Sequence, residues 1–430
     1  MTEEKKFSYR KTFLLGFGFF GVSVIWSVYN AYVPLMLDGK YGLSAGWIGF
    51  FMVLDNIAAV LIQPALGVFS DRLRTKLGRR LPFVLLGAPV AAIAFGFIPL
   101  TSALPLFLMA CVILLLSMAI WRTPIVALMP DITPSKFRSQ ANGVINLMGG
   151  LGAVLSFAVG AKLYQANPAY AFWMGSGLVL VAATLVLIFI REPKEYIAKK
   201  THLAEMKSGQ GEKNKLIDNI KEVFAQEDKS ASRILLAILF WFLSYNAVEA
   251  FFTLYGVNHL GLAEADSGFQ LTYISLIFLI FAIPSGYIAA KFGRRRTIMT
   301  GVSIMAVCIL LMYFLPAATL ANPLSSIMGF GVYPVSLILM LAGIGWALIN
   351  INSLPMVVDM TDDDHIGTYT GLYYFASQTA AILGPVAFGG IIQIGGNNYR
   401  LMMLLSPIFL VVAFIMMMGV RSGEVQISAE

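Results

Sequence analysis

The sequence predicts an all-α membrane protein: twelve transmembrane helices in two pseudo-symmetric six-helix bundles. Composition, the lengths of the apolar runs and an internal repeat predict it. Of 430 residues, 58% are hydrophobic and 12% are charged, against roughly 25% charged in an ordinary soluble domain. A water-soluble fold has no interior large enough for that much apolar surface, so the surplus faces lipid.

The apolar runs are taken in chain order. Residues 12–34, 46–70, 81–99, 103–130, 140–164 and 169–190 form the first six spans. Residues 233–256, 268–290, 297–316, 333–358, 368–392 and 398–420 form the second six. Each approaches or exceeds the roughly 20 residues that cross a bilayer as helix. Backbone polar groups find no water in the hydrocarbon core and must be satisfied within each span, which selects helices over isolated strands.

Domain boundaries follow from these runs. Residues 1–190 are the N-terminal bundle, 191–232 a cytoplasmic linker and 233–430 the C-terminal bundle with a short cytoplasmic tail. The linker contains Arg191, Pro193, Lys199, Lys200, Lys207, Gly209, Gly211 and Lys213. Residues 214–226 read as a short amphipathic surface helix, with Leu216, Ile220, Val223 and Phe224 on one side.

The net charge of +7 is a matter of orientation, not a footprint for nucleic acid. With the N-terminus inside, Lys5, Lys6, Arg10, Lys11, the cluster Arg72 to Arg80, the linker, Lys291 and Arg294 to Arg296 all fall on one side. Lys40, Lys162 and Arg400 fall on the other. The positive-inside rule then places both termini in the cytoplasm of a cell whose inner membrane holds the chain. Residues Met1 to Phe7 are too polar for a signal sequence, so the first run reads as a retained span. Cys111 and Cys308 fall within apolar runs and read as small buried hydrophobes, with no disulfide.

Phrases recur in order on either side of the linker. Tyr29, Asn30 and Ala31 are echoed by Tyr245, Asn246 and Ala247. Gly67, Asp71, Arg72, Gly78, Arg79 and Arg80 are echoed by Gly286, Ala290, Lys291, Gly293, Arg294 and Arg295, with a shorter spacer. Asp131 with Gly143 is echoed by Asp359 with Gly371. Two six-span repeats joined by a long cytoplasmic loop are the pattern of a carrier that rocks two bundles around a central site.

The segment Gly67 to Arg80 resembles the signature between the second and third spans of the major facilitator superfamily. In that superfamily the element is a latch that stabilises the outward-open state. The resemblance assigns this role to Asp71, Arg72 and Arg79, with Asp131 and Arg138 bracketing the next cytoplasmic turn and Asp359 in the matching place of the second half. Ala290 stands where the second copy would have an acid, so that half of the latch is expected to be weaker or built from other residues.

A narrower resemblance rests on Gln63-Pro64, Ser70-Asp71-Arg72, Gly78-Arg79-Arg80, Pro82-Phe83 and Gly87-Ala88, and on the run from Thr123 through Pro130-Asp131 to Asn142-Gly143. These phrases resemble the sucrose and maltose proton symporters. Those of plants have an arginine at the place of Val126, whereas this chain has Arg122 one turn earlier; Asp55-Asn56 is similar to the prokaryotic branch. The resemblance implies a sugar:cation symporter related to the glycoside-pentoside-hexuronide carriers, a monomer without cofactor.

Three charged residues lie deep in the spans: Asp55, Arg122 and Glu249. A charge there costs roughly 2.5 to 3.5 kcal/mol on insertion scales, so its presence points to transport. Coupling to protons needs an acid that is protonated in one facing state and ionised in another, and Asp55 and Glu249 are the candidates. Arg122 cannot readily lose its charge; its fork either clamps sugar hydroxyls or pairs with Asp55. Trp26, Tyr29, Asn30, Gln63, Tyr245, Asn246, Glu249, Trp346, Asn350, Asn352 and Gln378 offer the amides, phenols and rings that suit a polyol. Trp26 and Tyr29 also fit an interfacial belt, and Gln63 and Gln378 fit interhelical glue. The repeat lays Asn350 over Arg122 but lays Glu249 over Val33, an apolar counterpart.

The leading function is therefore import of a small neutral sugar, a disaccharide or monosaccharide, coupled to protons. Sodium coupling, or export of a metabolite or drug, is the alternative. A hard-cation site at Asp359, Asp362, Asp363 and Asp364 lacks a regular ligand spacing, so no metal is assigned. An enzyme is disfavoured because no nucleophile with an oriented base is evident.

Overall fold

The computed structural model describes residues 8–133, 137–193, 196–198, 202–203, 223, 228–361 and 365–423. Among these, twelve helical segments are long and apolar enough to cross a membrane. Most of the amphipathic segment expected at 214–226, the acids Asp362 to Asp364, and Lys5 and Lys6 lie outside the described residues.

In chain order the helices are α1 (Tyr9–Leu35), α2 (Ala45–Met52), α3 (Leu54–Arg72), α4 (Leu81–Phe97), α5 (Leu104–Ile132), α6 (Arg138–Ala166) and α7 (Pro168–Phe189). They continue with α8 (Ser230–Asn258), α9 (Glu264–Phe292), α10 (Arg294–Phe314), the short α11 (Ala317–Leu320), α12 (Pro334–Val358), α13 (Ile366–Ile394) and α14 (Arg400–Met418). Two antiparallel ribbons accompany them. β1 (Leu73–Arg74) pairs with β2 (His202–Leu203), and β3 (Ser325–Ile327) with β4 (Phe330–Val332).

The first span changes its helical form at its end for a local reason. Pro34 removes a donor near the end of α1, and the chain continues as a π-helical turn over Met36–Lys40. The second span is not one helix: Val53 interrupts it between α2 and α3, with φ −103° and ψ −4°.

The chain forms two compact units. One comprises 1–33 with 54–208, the other 34–53 with 209–430. Residues 34–53 precede the linker in sequence yet pack within the second unit. Small residues permit this: a Cβ on Gly389 of α13 would lie 2.6 Å from the carbonyl oxygen of Ala45 in α2. Backbones that close need glycine at the contact.

Each unit is filled by aromatic side chains and turns other apolar residues outward. In the first, Trp121, Phe95 and Phe172 are fully buried, and Tyr32 stacks on Tyr164 at 3.9 Å. In the second, Trp241, Phe251, Phe252 and Phe388 are fully buried. Leu61, Leu86, Ile93 and Ile283 are among the large exposed side chains, the inverse of a soluble fold and the pattern that lipid demands.

Candidate functional site

The interruption at Val53 places Asp55 in the first turn of α3. The continuous run 46–70 hid that position. A helix N-terminus carries the positive end of the macrodipole and free N–H groups, both favourable to a carboxylate. Broken helices recur where transporters hold ions. The Asn56 amide donates to Asp55 Oδ1 at 3.0 Å.

Arg122 of α5 lies within electrostatic reach of Asp55. No ion pair joins them, and the Arg122 guanidinium has no hydrogen-bond acceptor among the described residues. Tyr29 of α1 also lies within electrostatic reach of Asp55 and of Cys111 in α5. At 2% exposure Tyr29 is a core residue, not a belt residue. Trp26 meets it edge-on at 5.7 Å, with its own Nε1 buried and unpartnered among the described residues. Asn30 and Gln63 are half-buried. The first unit thus gathers Tyr29, Asp55, Cys111 and Arg122.

The second unit builds an aromatic stack. Tyr245 of α8 lies flat on Trp346 of α12, 3.7 Å between centroids and 3° between planes. Phe242 meets the Trp346 ring edge-on at 5.3 Å and Tyr373 at 6.4 Å. Trp346 is 6% exposed while Tyr245 is half-buried, so Tyr245 is the ring with open surface. Glu249, one turn along α8, acts electrostatically on Tyr245.

The amides divide in use. Asn246 returns its donor to the Phe242 carbonyl at 2.7 Å. Asn352 is buried and donates to Leu348 O at 2.9 Å and to Ser285 O at 3.5 Å, tying α12 to α9. Asn350 is half-buried, and its carbonyl accepts from Ser353, whose hydroxyl also meets Tyr373. Gln378 Oε1 is buried without a partner among the described residues.

At the ends of α3 and α5 the first unit closes a charge box. Arg79 donates to Asp131 at 2.6 Å and lies 3.6 Å from Asp71. Arg80 pairs with Asp71, and with Asp131 at 3.0 Å. Burial works against the charge of Arg79, but the hydrogen bonds and charge of Asp131, with help from Tyr196 and Asp71, raise its pKa above the ordinary range. Arg72 and Arg138 are exposed, and Arg138 donates to the Pro130 carbonyl at 3.4 Å. In the second unit Arg294 pairs with Asp359 and donates to Pro355 O at 3.2 Å, so a cation–acid pair forms without an acid at position 290.

Glu192 completes the box. Its buried carboxylate accepts from the backbone N–H groups of Arg79, Arg80 and Leu81 at 2.7 to 2.8 Å, capping α4. Gly78 makes room, with φ +113° and a missing Cβ that would strike that carboxylate. Tyr196 covers Arg79, its ring centre 3.7 Å from the guanidinium carbon.

A family model described as Major Facilitator Superfamily matches residues 15–340 and 260–426. The chain belongs to that superfamily. This facilitator is accordingly a transporter and not an enzyme. It is 24% identical to the hexuronate transporter of Bacillus subtilis over 373 residues, covering 83% of this chain and 81% of that protein. It is 27% identical to the sucrose transport protein SUC3 of Arabidopsis thaliana over 165 residues, 33% of this chain and 27% of that one. It is 25% identical to the multidrug resistance protein MdtH of Photorhabdus laumondii over 151 residues, 35% of this chain and 36% of that one. The matches to the last two span about a third of each relative's length. Among solved structures, the nucleoside transporter NupG shares the fold with TM-score 0.73 and 13% identity, covering 96% of this facilitator and 100% of that chain.

Sequence reasoning missed Asn56, Cys111, Arg80, Glu192 and Tyr196 as members of these clusters. Arg80 lay inside the quoted motif, and Asn56 beside Asp55. Glu192 and Tyr196 carried no local signal, because their partners stand more than a hundred positions earlier in the chain.

Proposed function

We propose that this facilitator imports a small neutral sugar, a disaccharide or monosaccharide, with protons by alternating access. It acts in the cytoplasmic membrane with both termini inside. The observation that carries the reading is Asp55 at a helix break, within the field of Arg122 but without an ion pair to it. A direct pair would pin the carboxylate in its charged form; without one, the carboxyl can exchange a proton as its surroundings change. The half-buried guanidinium in turn keeps its donors for cargo hydroxyls. The open Tyr245 ring over Trp346 suits the apolar face of a sugar, and the sucrose transport protein among the relatives supports that class.

The test is counterflow of labelled sugars in proteoliposomes at two pH values, with and without sodium. Asp55→Asn is expected to abolish accumulation against a gradient while sparing exchange. Unchanged accumulation in that variant removes Asp55 from coupling, and sodium dependence at fixed pH replaces the proton.

The Arg122 guanidinium, without a hydrogen-bond acceptor among the described residues, also favours a second reading, a sugar acid, since Arg forks bind carboxylates in two-point fashion. The hexuronate transporter matches over most of both chains. Competition by glucuronate, absent for maltose and sucrose, would select it.

A further inference from the structure

From Thr297 to Val358 the sequence contains no Asp, Glu, Lys or Arg, although two spans and the whole loop between them fall in that stretch. The loop folds as the β3–β4 hairpin. Its two-residue turn has Met328 at φ 56° and Gly329 at φ 84°, the left-handed pair of a type I′ turn. Met is an unusual choice there, since asparagine, aspartate or glycine meets that conformation at less cost.

The hairpin is anchored to the second unit through β4. Phe330 is fully buried and stacks on Phe269 of α9 at 4.4 Å. Gln270 donates to the Gly331 carbonyl at 3.2 Å, and the Gly331 N–H donates to Asp266 at 3.1 Å. Around the turn the hairpin leaves aliphatic side chains open, Leu324 54% exposed, Ile327 49% and Met328 53%, with the exposed Ser325 and Ser326 between them. Three aliphatic side chains held outward around the tip of an anchored hairpin are placed to meet something apolar.

Its level in the membrane identifies the occupant. The loop leaves α10 beside Tyr313 and Phe314 and returns at Tyr333 and Pro334. The Arg400 guanidinium lies 4.5 Å from the Tyr313 ring centre and donates to the Tyr313 carbonyl at 2.7 and 3.0 Å. Tyrosines paired with a cation mark the headgroup level of a bilayer. Exposed apolar surface continues on both flanking spans, at Phe314 and Leu337. Water offers these side chains nothing, and the loop carries no charge to recruit a charged partner.

We infer that the β3–β4 hairpin is a lipid anchor, with Leu324, Ile327 and Met328 inserted at the boundary between headgroups and acyl chains of the adjacent leaflet. The second unit is thereby held at a fixed depth on the side where α10 ends and α12 begins. This does not depend on the cargo.

The test is spin labelling of Ile327→Cys and Met328→Cys in vesicles of phosphatidylcholine and phosphatidylglycerol. Cys111 and Cys308 stay in place because both are buried, and the label taken up by the unsubstituted chain is subtracted. Collision with oxygen and with a water-soluble nickel chelate gives the depth. Reference labels stand at Ile283→Cys, an exposed mid-span position, and Gln165→Cys, exposed at the end of α6. Nickel access at least threefold below that of Gln165→Cys, with high oxygen access, is expected. Nickel access equal to that of Gln165→Cys would place the hairpin in water and overturn the inference. Low access to both reagents with spin–spin broadening would overturn it in favour of a second copy of the chain.

Discussion

Arg79 and Asp131 are joined by a 2.6 Å ion pair that links the turn before α4 to the end of α5, and the guanidinium is roofed by Tyr196. Arg79 has Asp71, Asp131 and an aromatic face around it, so three elements depend on one cation. The pair is shielded, with side-chain exposures of 13% and 12%, and therefore worth more than an open surface pair.

Arg79→Ala and Asp131→Asn are each expected to destabilise the protein by about 1 to 3 kcal/mol, the usual range for losing a charged hydrogen bond in a shielded place. Thermal unfolding in detergent measures this. A double-mutant cycle should return a coupling above about 0.5 kcal/mol; strict additivity would mean the pair contributes nothing.

Gly78→Ala introduces a side chain at φ +113° and into the Glu192 carboxylate. Backbone strain and displacement of the α4 cap act together, and a loss of about 1 to 3 kcal/mol is expected. Arginine or lysine at this position would do no better, because the obstacle is the Cβ itself. A melting temperature equal to that of the parent would show that the carboxylate moves aside without cost.

His259, just past the end of α8, is held below the ordinary imidazole range by burial first and by the charge of Arg400 second. The folded state therefore prefers the neutral ring. Its contribution to stability is complete above the unfolded value of about 6.5 and is lost as pH falls through the lower folded value. Melting temperature should fall between pH 7.5 and 5, with a shallower slope in His259→Gln. Parallel slopes in the two proteins would assign the acid sensitivity to other groups.

Tyr245→Ala removes the open ring of the stack, whereas Tyr245→Phe keeps it. Cargo binding is expected to weaken about tenfold in the first, which corresponds to about 1.4 kcal/mol, and to change little in the second. Isothermal titration with the sugar found by counterflow decides. Equal affinity in all three proteins would make the Tyr245–Trp346 stack a packing feature of α8 and α12.

Much of the fold was legible in the chain. The third span, expected at 81–99, is Leu81–Phe97, and the tenth, expected at 333–358, is Pro334–Val358. Hydrophobic run length is a local property and bilayer thickness is constant, so the two can be matched without tertiary information. The break at Val53 escaped because the apolar run continues across it without a polar or proline signal at that position. The β3–β4 hairpin escaped because its turn uses Met328 where a turn-forming polar residue would have announced it.

Twelve spans, the order of the repeats and the three membrane-embedded charges follow from residue types read in sequence, since each rests on the solubility of a side chain in lipid or on its neighbours a few positions away. Partnership does not follow from those properties. That Arg122 stands apart from Asp55, that Tyr29 meets Cys111, that Asn352 ties α12 to α9 and that Glu192 caps α4 were decided by packing of helices distant in the chain. Hydrogen bonds act over about 3 Å, and only the folded backbone brings such groups that close.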